Sequence, residues 1–397
     1  MAKIILKKGR EESLKRFHPW VFSGAIAQIV GEPAEGDVVE VYGQDGKFLA
    51  AGHYQIGSIA VRVLSFESSV INADYWKSML SRALAVRIAT GLADSDTTNC
   101  YRLVHGEGDN LPGLIIDWYD GVCVMQAHSA GMFRAKKQIA QALVEIYGDK
   151  LKAVYDKSSG TAPFKAGLDL VDGYLYKKEG FDDNEQIVVE NGHKFIVNWT
   201  EGQKTGFFLD QRENRALVEK YAKGRNVLNL FCYTGGFSIY ALGAGAVHVD
   251  SVDSSAKAMA LVDKNVEIGG FDKSRHTSLC VDALDYLRDV PEDKYDLMIV
   301  DPPAFAKHRG ALNNALRAYQ RLNAAAISKV APGGFVFTFS CSQVVTKEAF
   351  ALAVFSAAAQ TGRKVRILDR LNQPSDHAVN IYHPEGEYLK GLLLYVE

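Results

Sequence analysis

Cysteine is scarce in this chain: five in 397 residues, at positions 100, 123, 232, 280 and 341, far apart and never in C-x-x-C spacing. That scatter excludes a disulfide framework and the common zinc arrangements, so reduced thiols and no metal site are expected. No apolar run is long enough to cross a bilayer. The opening Met1-Ala-Lys-Ile-Ile-Leu-Lys-Lys-Gly9 has too short an apolar core for a signal peptide. A cytoplasmic chain with no membrane partner is therefore expected. Two nucleotide signatures are also missing: there is no P-loop lysine, and the one glycine-rich turn after a strand departs from G-x-G-x-x-G, which disfavours a nicotinamide dinucleotide. Net charge is only -2, but the first twenty residues set Lys3, Lys7, Lys8, Arg10, Lys15 and Arg16 against Glu11 and Glu12. That local basic excess suits either a solvated face or a nucleic acid.

What is present divides into three blocks, more than one hydrophobic core usually serves. Residues 1–70 read as a small β-rich module with one helix, from the strand signals at Ile4–Leu6, Val38–Tyr42 and Ala60–Leu64 and the turns at Gly36-Asp37 and Gln44–Gly46. Between them, Arg16–Gly24 sets Trp20 and Phe22 among basic and polar groups, either to fill the module's core or to stack on a base. Lys7, Lys8, Arg10, Arg16 and Trp20 are the candidate nucleic-acid contacts. Residues 71–190 read as α+β: a helix over Ala73–Ala89, a hairpin of Leu114–Asp117 and Val122–Gln126 around Asp120-Gly121, a helix over Phe133–Tyr147, then extended Ala153–Tyr155 and Tyr174–Tyr176. Glu107, Asp109 and Asn110, set among glycines, have the look of a ligand loop, though turn chemistry explains them equally.

Residues 191–397 carry the chemistry. A buried strand, Asn226–Phe231, runs into Cys232-Tyr-Thr-Gly-Gly236 and a helix beginning at Phe237. The next strand ends at Asp253, eighteen residues after Gly235, where a doubly wound fold places the carboxylate for ribose hydroxyls. Further strands end at Asp282, at Asp301-Pro302-Pro303 and at Ser340-Cys341-Ser342. Ligands of open α/β sheets bind at this carboxyl rim. Asn229, Phe231, Tyr233, Thr234, Gly235 and Gly236, followed by Asp253, Asp282, Asp301 and Pro302, make a site graded for a nucleoside. S-adenosylmethionine fits it because no phosphate has to be held. Gln211 and Arg212 are expected to line the cofactor or substrate cleft, unless they form a salt bridge anchoring the helix after Asp210.

Several segments together resemble one family: Lys8-Gly-Arg10, His18-Pro-Trp-Val-Phe-Ser-Gly24, Tyr101-Arg-Leu103, Leu111-Pro-Gly113, Thr205-Gly-Phe-Phe-Leu-Asp-Gln-Arg212, Tyr233-Thr-Gly-Gly-Phe237, Asp301-Pro-Pro303, Phe339-Ser-Cys-Ser342, Pro384-Glu-Gly386 and Tyr388-Leu-Lys-Gly391. Over nearly its whole length the chain resembles the bacterial ribosomal RNA large subunit methyltransferase I family, class I S-adenosylmethionine-dependent enzymes that make 5-methylcytosine. The resemblance implies a PUA RNA-binding domain (1–70), a central α+β domain (71–190) and a Rossmann-like methyltransferase domain (191–397). It also implies a large-subunit ribosomal RNA substrate, with Arg212 among the RNA contacts, and a homodimer as one possible state.

The chemistry of a pyrimidine then assigns roles. C5 of cytosine is a poor nucleophile until a thiolate adds at C6. Cys341 is the expected thiolate, with a buried packing cysteine as the bland alternative, and Cys232 is the expected packing residue. Asp301 is expected to hold the N3 and N4 edge of the base, with Pro302 and Pro303 fixing the backbone so that a carbonyl faces it. His377, His383, Glu385 and Glu387 are open candidates for the C5 proton. A methyltransferase of another base (guanine or uracil) and a non-catalytic RNA-binding protein are the competing readings.

Overall fold

Ile4 and Leu6 bury their side chains while Lys3 stays exposed, the alternation of a strand with one wet face. The computed structural model describes every residue except 164 and 165. Its first strands are β1 (Lys3–Leu6), β2 (Trp20–Phe22), β3 (Ile26–Val30), β4 (Val38–Tyr42), β5 (Phe48–Tyr54) and β6 (Ile59–Ser65), with a one-turn helix α1 (Glu12–Lys15). They form one sheet in the order β2-β6-β5-β4-β1-β3, closed over a core that includes Ile4, Leu14, Val21, Val41 and Val61.

The helix α2 (Ala73–Ala89) begins where the Asn72 side chain accepts the Tyr75 amide at 3.0 Å. A five-stranded sheet follows, of β7 (Cys100–His105), β8 (Leu114–Tyr119), β9 (Val122–Ala127), β10 (Ala153–Asp156) and β11 (Gly173–Lys177) in the order β11-β10-β9-β8-β7. The hairpin β8–β9 turns at Asp120 and Gly121, both with positive φ (41° and 97°), the two-residue geometry that matches strand twist. Helix α3 (Ala130–Tyr147) carries the chain between the parallel strands β9 and β10. The polar loop at 106–110 is structural. The fully buried Arg87 guanidinium pairs with Asp109 (2.7 Å from Nη2) and donates to the Arg102 and Asp376 carbonyls, while Glu107 accepts from Arg62 and the Trp20 indole, each at 2.9 Å. A hairpin of β12 (Glu185–Glu190) and β13 (His193–Asn198) precedes the last sheet.

The chain forms two compact units: Met1–Val188 with Val197–Leu209 and Ser375–Gly386, and Val189–Ile196 with Asp210–Pro374 and Glu387–Glu397. The second unit alternates helix and strand: α4 (Arg212–Ala222), β14 (Asn226–Leu230), α5 (Gly236–Gly243), β15 (His248–Asp253), α6 (Ala256–Ile268), β16 (His276–Cys280), α7 (Ala283–Asp289), β17 (Tyr295–Val300), α8 (Leu312–Lys329), β18 (Val330–Ser340), α9 (Lys347–Thr361), β19 (Val365–Asn372) and β20 (Lys390–Val396). Its sheet runs β16-β15-β14-β17-β18-β20-β19. Strands β14 to β18 pair in parallel; β20 lies antiparallel to both its neighbours. Leu297, Met298, Ile299 and Val300 are all fully buried because helices cover both faces of a parallel sheet. Strand order reverses between β14 and β17, and that reversal opens the crevice at their carboxyl ends. Among the described residues no helix is long and apolar enough to cross a membrane.

Candidate active site

Between β14 and α5 the backbone enters the left-handed region three times in five residues, at Phe231 (φ 58°), Tyr233 (φ 47°) and Gly235 (φ 77°). Non-glycine residues rarely adopt it, and such conformations concentrate where a ligand is held. The turn is secured by Cys232 N–H to Val252 O (3.1 Å), Gly235 N–H to Cys232 O (2.8 Å), Tyr233 N–H to Asp253 Oδ2 (3.0 Å) and Asn265 Nδ2 to Thr234 O (2.9 Å). Beneath it, buried Asn229 donates to Ser238 Oγ at 2.8 Å. Gly236 opens the helix α5. A Cβ on Gly235 would stand 3.0 Å from Val262 Cγ1 on α6. We therefore expect Gly235→Ala to lower stability by about 1–2 kcal/mol, from left-handed strain, with the Val262 contact adding to it; chemical denaturation measures it.

The acidic strand ends share this rim but not one environment. Half-buried Asp253 accepts Tyr233 N–H on Oδ2 and Ser255 N–H on Oδ1 (2.9 Å). A carboxylate has about four acceptor sites, so a diol still finds room there. Exposed Asp282 caps α7, its Oδ1 taking the Leu284 and Asp285 amides at 2.8 and 3.0 Å. Half-buried Asp301 accepts Gln211 Nε2 at 2.9 Å, and Gln211 Oε1 is held by Asn214 Nδ2 at 2.6 Å. Buried Gln211 thus orients Asp301 instead of lining an open wall. Beside the glycine turn, a half-buried carboxylate to accept from a diol and an exposed carboxylate to accept from an amine form an acceptor set that fits S-adenosylmethionine.

Cys341 leaves the same edge one strand over. Val300 pairs with Thr338 across the parallel strands β17 and β18, so Asp301 and Ser340-Cys341 emerge side by side. Pro302 is buried and Pro303 exposed. Ser340 Oγ donates to the Tyr319 hydroxyl (2.9 Å), and Ser342 Oγ donates to Ala306 O (2.6 Å), which pins the turn on both sides of the cysteine. Burial, supplemented by the negative charges of Cys341 and Asp301, pushes the Tyr319 phenol up to about 12. Buried Lys390 donates to the carbonyls of Ser342 and, at 2.7 Å, Val345. The two thiols of the region differ. Burial, then Asp253, pushes the Cys232 thiol well above the ordinary range, whereas Cys341 is half-buried. A thiolate is the nucleophile, so Cys232 is the poorer candidate. Tyr319, Asn214 and Lys390 carried no sequence signal, except that Lys390 lies in the Tyr388–Gly391 segment.

Arg212 requires a correction. It is fully buried, with Nε 3.4 Å from Glu190 Oε2, and so has no surface to offer an RNA. The salt-bridge alternative describes its position, with Glu190 as partner. Lys7, Lys8, Arg10 and Arg16 are exposed, with Lys7 Nζ on Gly24 O at 2.9 Å. Trp20 is half-buried, 4.2 Å from the His383 ring centroid and 5.3 Å from the Arg62 guanidinium. Of the candidates for the C5 proton, His377 is buried beside Asp376 (3.0 Å) and His105 in the first unit, and Glu387 pairs with Lys347 in the second. His383 and Glu385 gather with His18 in the first unit, their ligand-type atoms within 4.8 Å of one another. His18 Nδ1 faces both the Trp20 amide (3.2 Å) and the Trp20 carbonyl oxygen (3.3 Å).

Comparison with known proteins assigns the family. Residues 4–66 match the PUA-like domain, and residues 101–392 match the S-adenosylmethionine-dependent methyltransferase family. The ribosomal RNA large subunit methyltransferase I of Aeromonas hydrophila is 41% identical over 399 residues, 99% of each chain. Among solved structures, one described as a SAM-dependent methyltransferase from Streptococcus mutans superposes with a TM-score of 0.84 at 26% identity, covering all of both chains. A methyltransferase complexed with SAH does so with a TM-score of 0.85 at 25% identity, again over both whole chains. The chain belongs to the ribosomal RNA large subunit methyltransferase I family, S-adenosylmethionine-dependent methyltransferases with a PUA-like module and a Rossmann-like α/β domain.

Proposed function

We propose that this chain methylates C5 of a cytosine in large-subunit ribosomal RNA through a covalent adduct on Cys341. The observation that carries the reading is the emergence of Asp301 and Cys341 from neighbouring parallel strands beside the glycine turn. Bound S-adenosylmethionine supplies an electrophilic methyl group. Tyr233 to Gly236 border its tail, Asp253 takes the ribose hydroxyls and Asp282 the adenine amine. The Cys341 thiolate forms a bond to C6, and the C5–C6 electron pair moves into the ring, where Asp301 at the N3 and N4 edge supports the charge if it takes up a proton during the reaction. The carbanion-like C5 made in this way would accept the methyl group that bound S-adenosylmethionine would supply. Loss of the C5 proton to a base restores the double bond and expels the thiolate.

In this reading residues 1–70 form the RNA-gripping module, with Lys7, Lys8, Arg10 and Arg16 on phosphates. Residues 71–190 form a central domain, 191–397 the catalytic one, and the work is done in the cytoplasm. The test is mass mapping of ribosomal RNA from cells lacking the protein, followed by incubation of that RNA with the purified chain and labelled methyl donor. One 5-methylcytosine missing from the large-subunit RNA and restored by the chain is the expected result. A restored methyl group on guanine or uracil would replace this reading, and no restoration together with absence of cofactor binding would favour a binding protein.

A further inference from the structure

Lys390 is a lysine in an expensive place. It opens β20 opposite Ser340, the last residue of β18, and only 5% of it is exposed. Its ammonium donates to the carbonyls of Ser342 and Val345, so the residues before and after Cys341 are both tied to Lys390. Among the described residues it forms no ion pair with a carboxylate; Glu387, three positions away, is engaged by Lys347 at the surface. A buried cation without a counter-charge costs several kcal/mol and is normally removed by deprotonation or by pairing. An uncharged donor would satisfy the same two carbonyls without that cost. A purely structural role therefore leaves the charge unexplained.

We propose that Lys390 is a positioning residue whose ammonium holds the Cys341 turn and favours the cysteine's thiolate, the form needed for addition to C6. The inference rests on the covalent reading of Cys341. Besides Lys390 and Cys341, four charged or titratable groups belong to this neighbourhood: Tyr319, Asp301 acting on it, and Glu387 and Lys347 acting on Lys390. Burial pulls Lys390 down to about 8, and the largest effect opposing it is the Cys341 charge. Coupling between two titrating groups is reciprocal, so a cation favoured by a thiolate favours that thiolate equally. The sign follows: a charged Lys390 lowers the pH at which Cys341 ionises.

The experiment reads the thiol directly. In the full chain carrying Cys280→Ser, which removes the exposed thiol, Cys341 is alkylated with iodoacetamide from pH 5 to 10 and quantified by peptide mass. In Lys390→Gln the rate midpoint should move up by about one pH unit, with alkylation at pH 7 some tenfold slower, and Lys390→Arg should restore most of the rate. Methyl transfer at neutral pH should fall in kcat in Lys390→Gln, recover as pH rises, and leave KM for RNA unchanged. A folded Lys390→Gln whose alkylation profile overlays the parent overturns the inference. Alkylation needs neither RNA nor methyl donor, so its outcome is independent of whether Cys341 proves to be the nucleophile. Activity surviving in Cys341→Ala would remove the covalent reading alone.

Discussion

Cys341→Ala is expected to reduce methyl transfer at least about 10⁴-fold, the scale on which loss of a covalent nucleophile is measured, while the affinity for S-adenosylmethionine stays close to that of the parent. The two effects separate because the groups proposed for the cofactor stand on β14, β15 and the segment after β16, and the cysteine follows β18. Folding should change little. Cys341 is half-buried, and its turn is held by the Ser340 and Ser342 hydroxyls and by Lys390. Cys232 is a poor substitute, since burial keeps it protonated. A complementary measurement uses RNA carrying 5-fluorocytosine. Fluorine at C5 cannot leave as a proton, so the parent chain should accumulate an adduct stable to denaturing electrophoresis and Cys341→Ala should not. A variant that keeps a tenth or more of the parent rate would rule out addition at C6.

Glu190→Ala should be the most destabilising single truncation in the second unit. Fully buried Glu190 accepts from Arg215 Nε and Nη2 at 2.8 Å each and from the Tyr240 hydroxyl at 2.9 Å, and it faces Arg212 at 3.4 Å. It is one carboxylate between two buried guanidinium groups. Its removal takes from Arg212 and Arg215 the buried carboxylate they share, and losing one partner of such a cluster costs about 3–5 kcal/mol. The same carboxylate ties Glu190 to Arg215 on α4 and to Tyr240 on α5, the helix that follows the glycine turn. Urea denaturation followed by circular dichroism measures the loss. A change below 1 kcal/mol would show that the cluster contributes nothing net.

Elements set by local pattern were legible in the sequence. The buried strand read over Asn226–Phe231 and the apolar run before Asp301 became central parallel strands because a strand covered on both faces needs continuous apolar residues. Asp120-Gly121 became the hairpin turn because two successive positive φ values favour that pair. The fate of buried charges was not legible. Arg87 and Arg215 carry no local signal of burial, and Arg212 reads as a cleft residue or a salt-bridge anchor; each is buried against a carboxylate 22 or 25 positions away. Helical spacing reports which face a residue occupies, not what distant segment will cover it. Gln211 read as a cleft residue for the same reason, since its bond to Asp301 spans ninety positions.

The sequence by itself determined which chemistry was available: a glycine turn, a series of carboxylates at strand ends and one cysteine after a Phe-Ser pair, because backbone conformation and strand termination are local properties of residue type. Only the tertiary structure decided how those groups are tuned. The antiparallel return of β20 sets Lys390 opposite Ser340 and inside the Cys341 turn, fifty positions away along the chain. Electrostatic coupling depends on separation in space and on exclusion of water, and neither exists until the sheet is assembled.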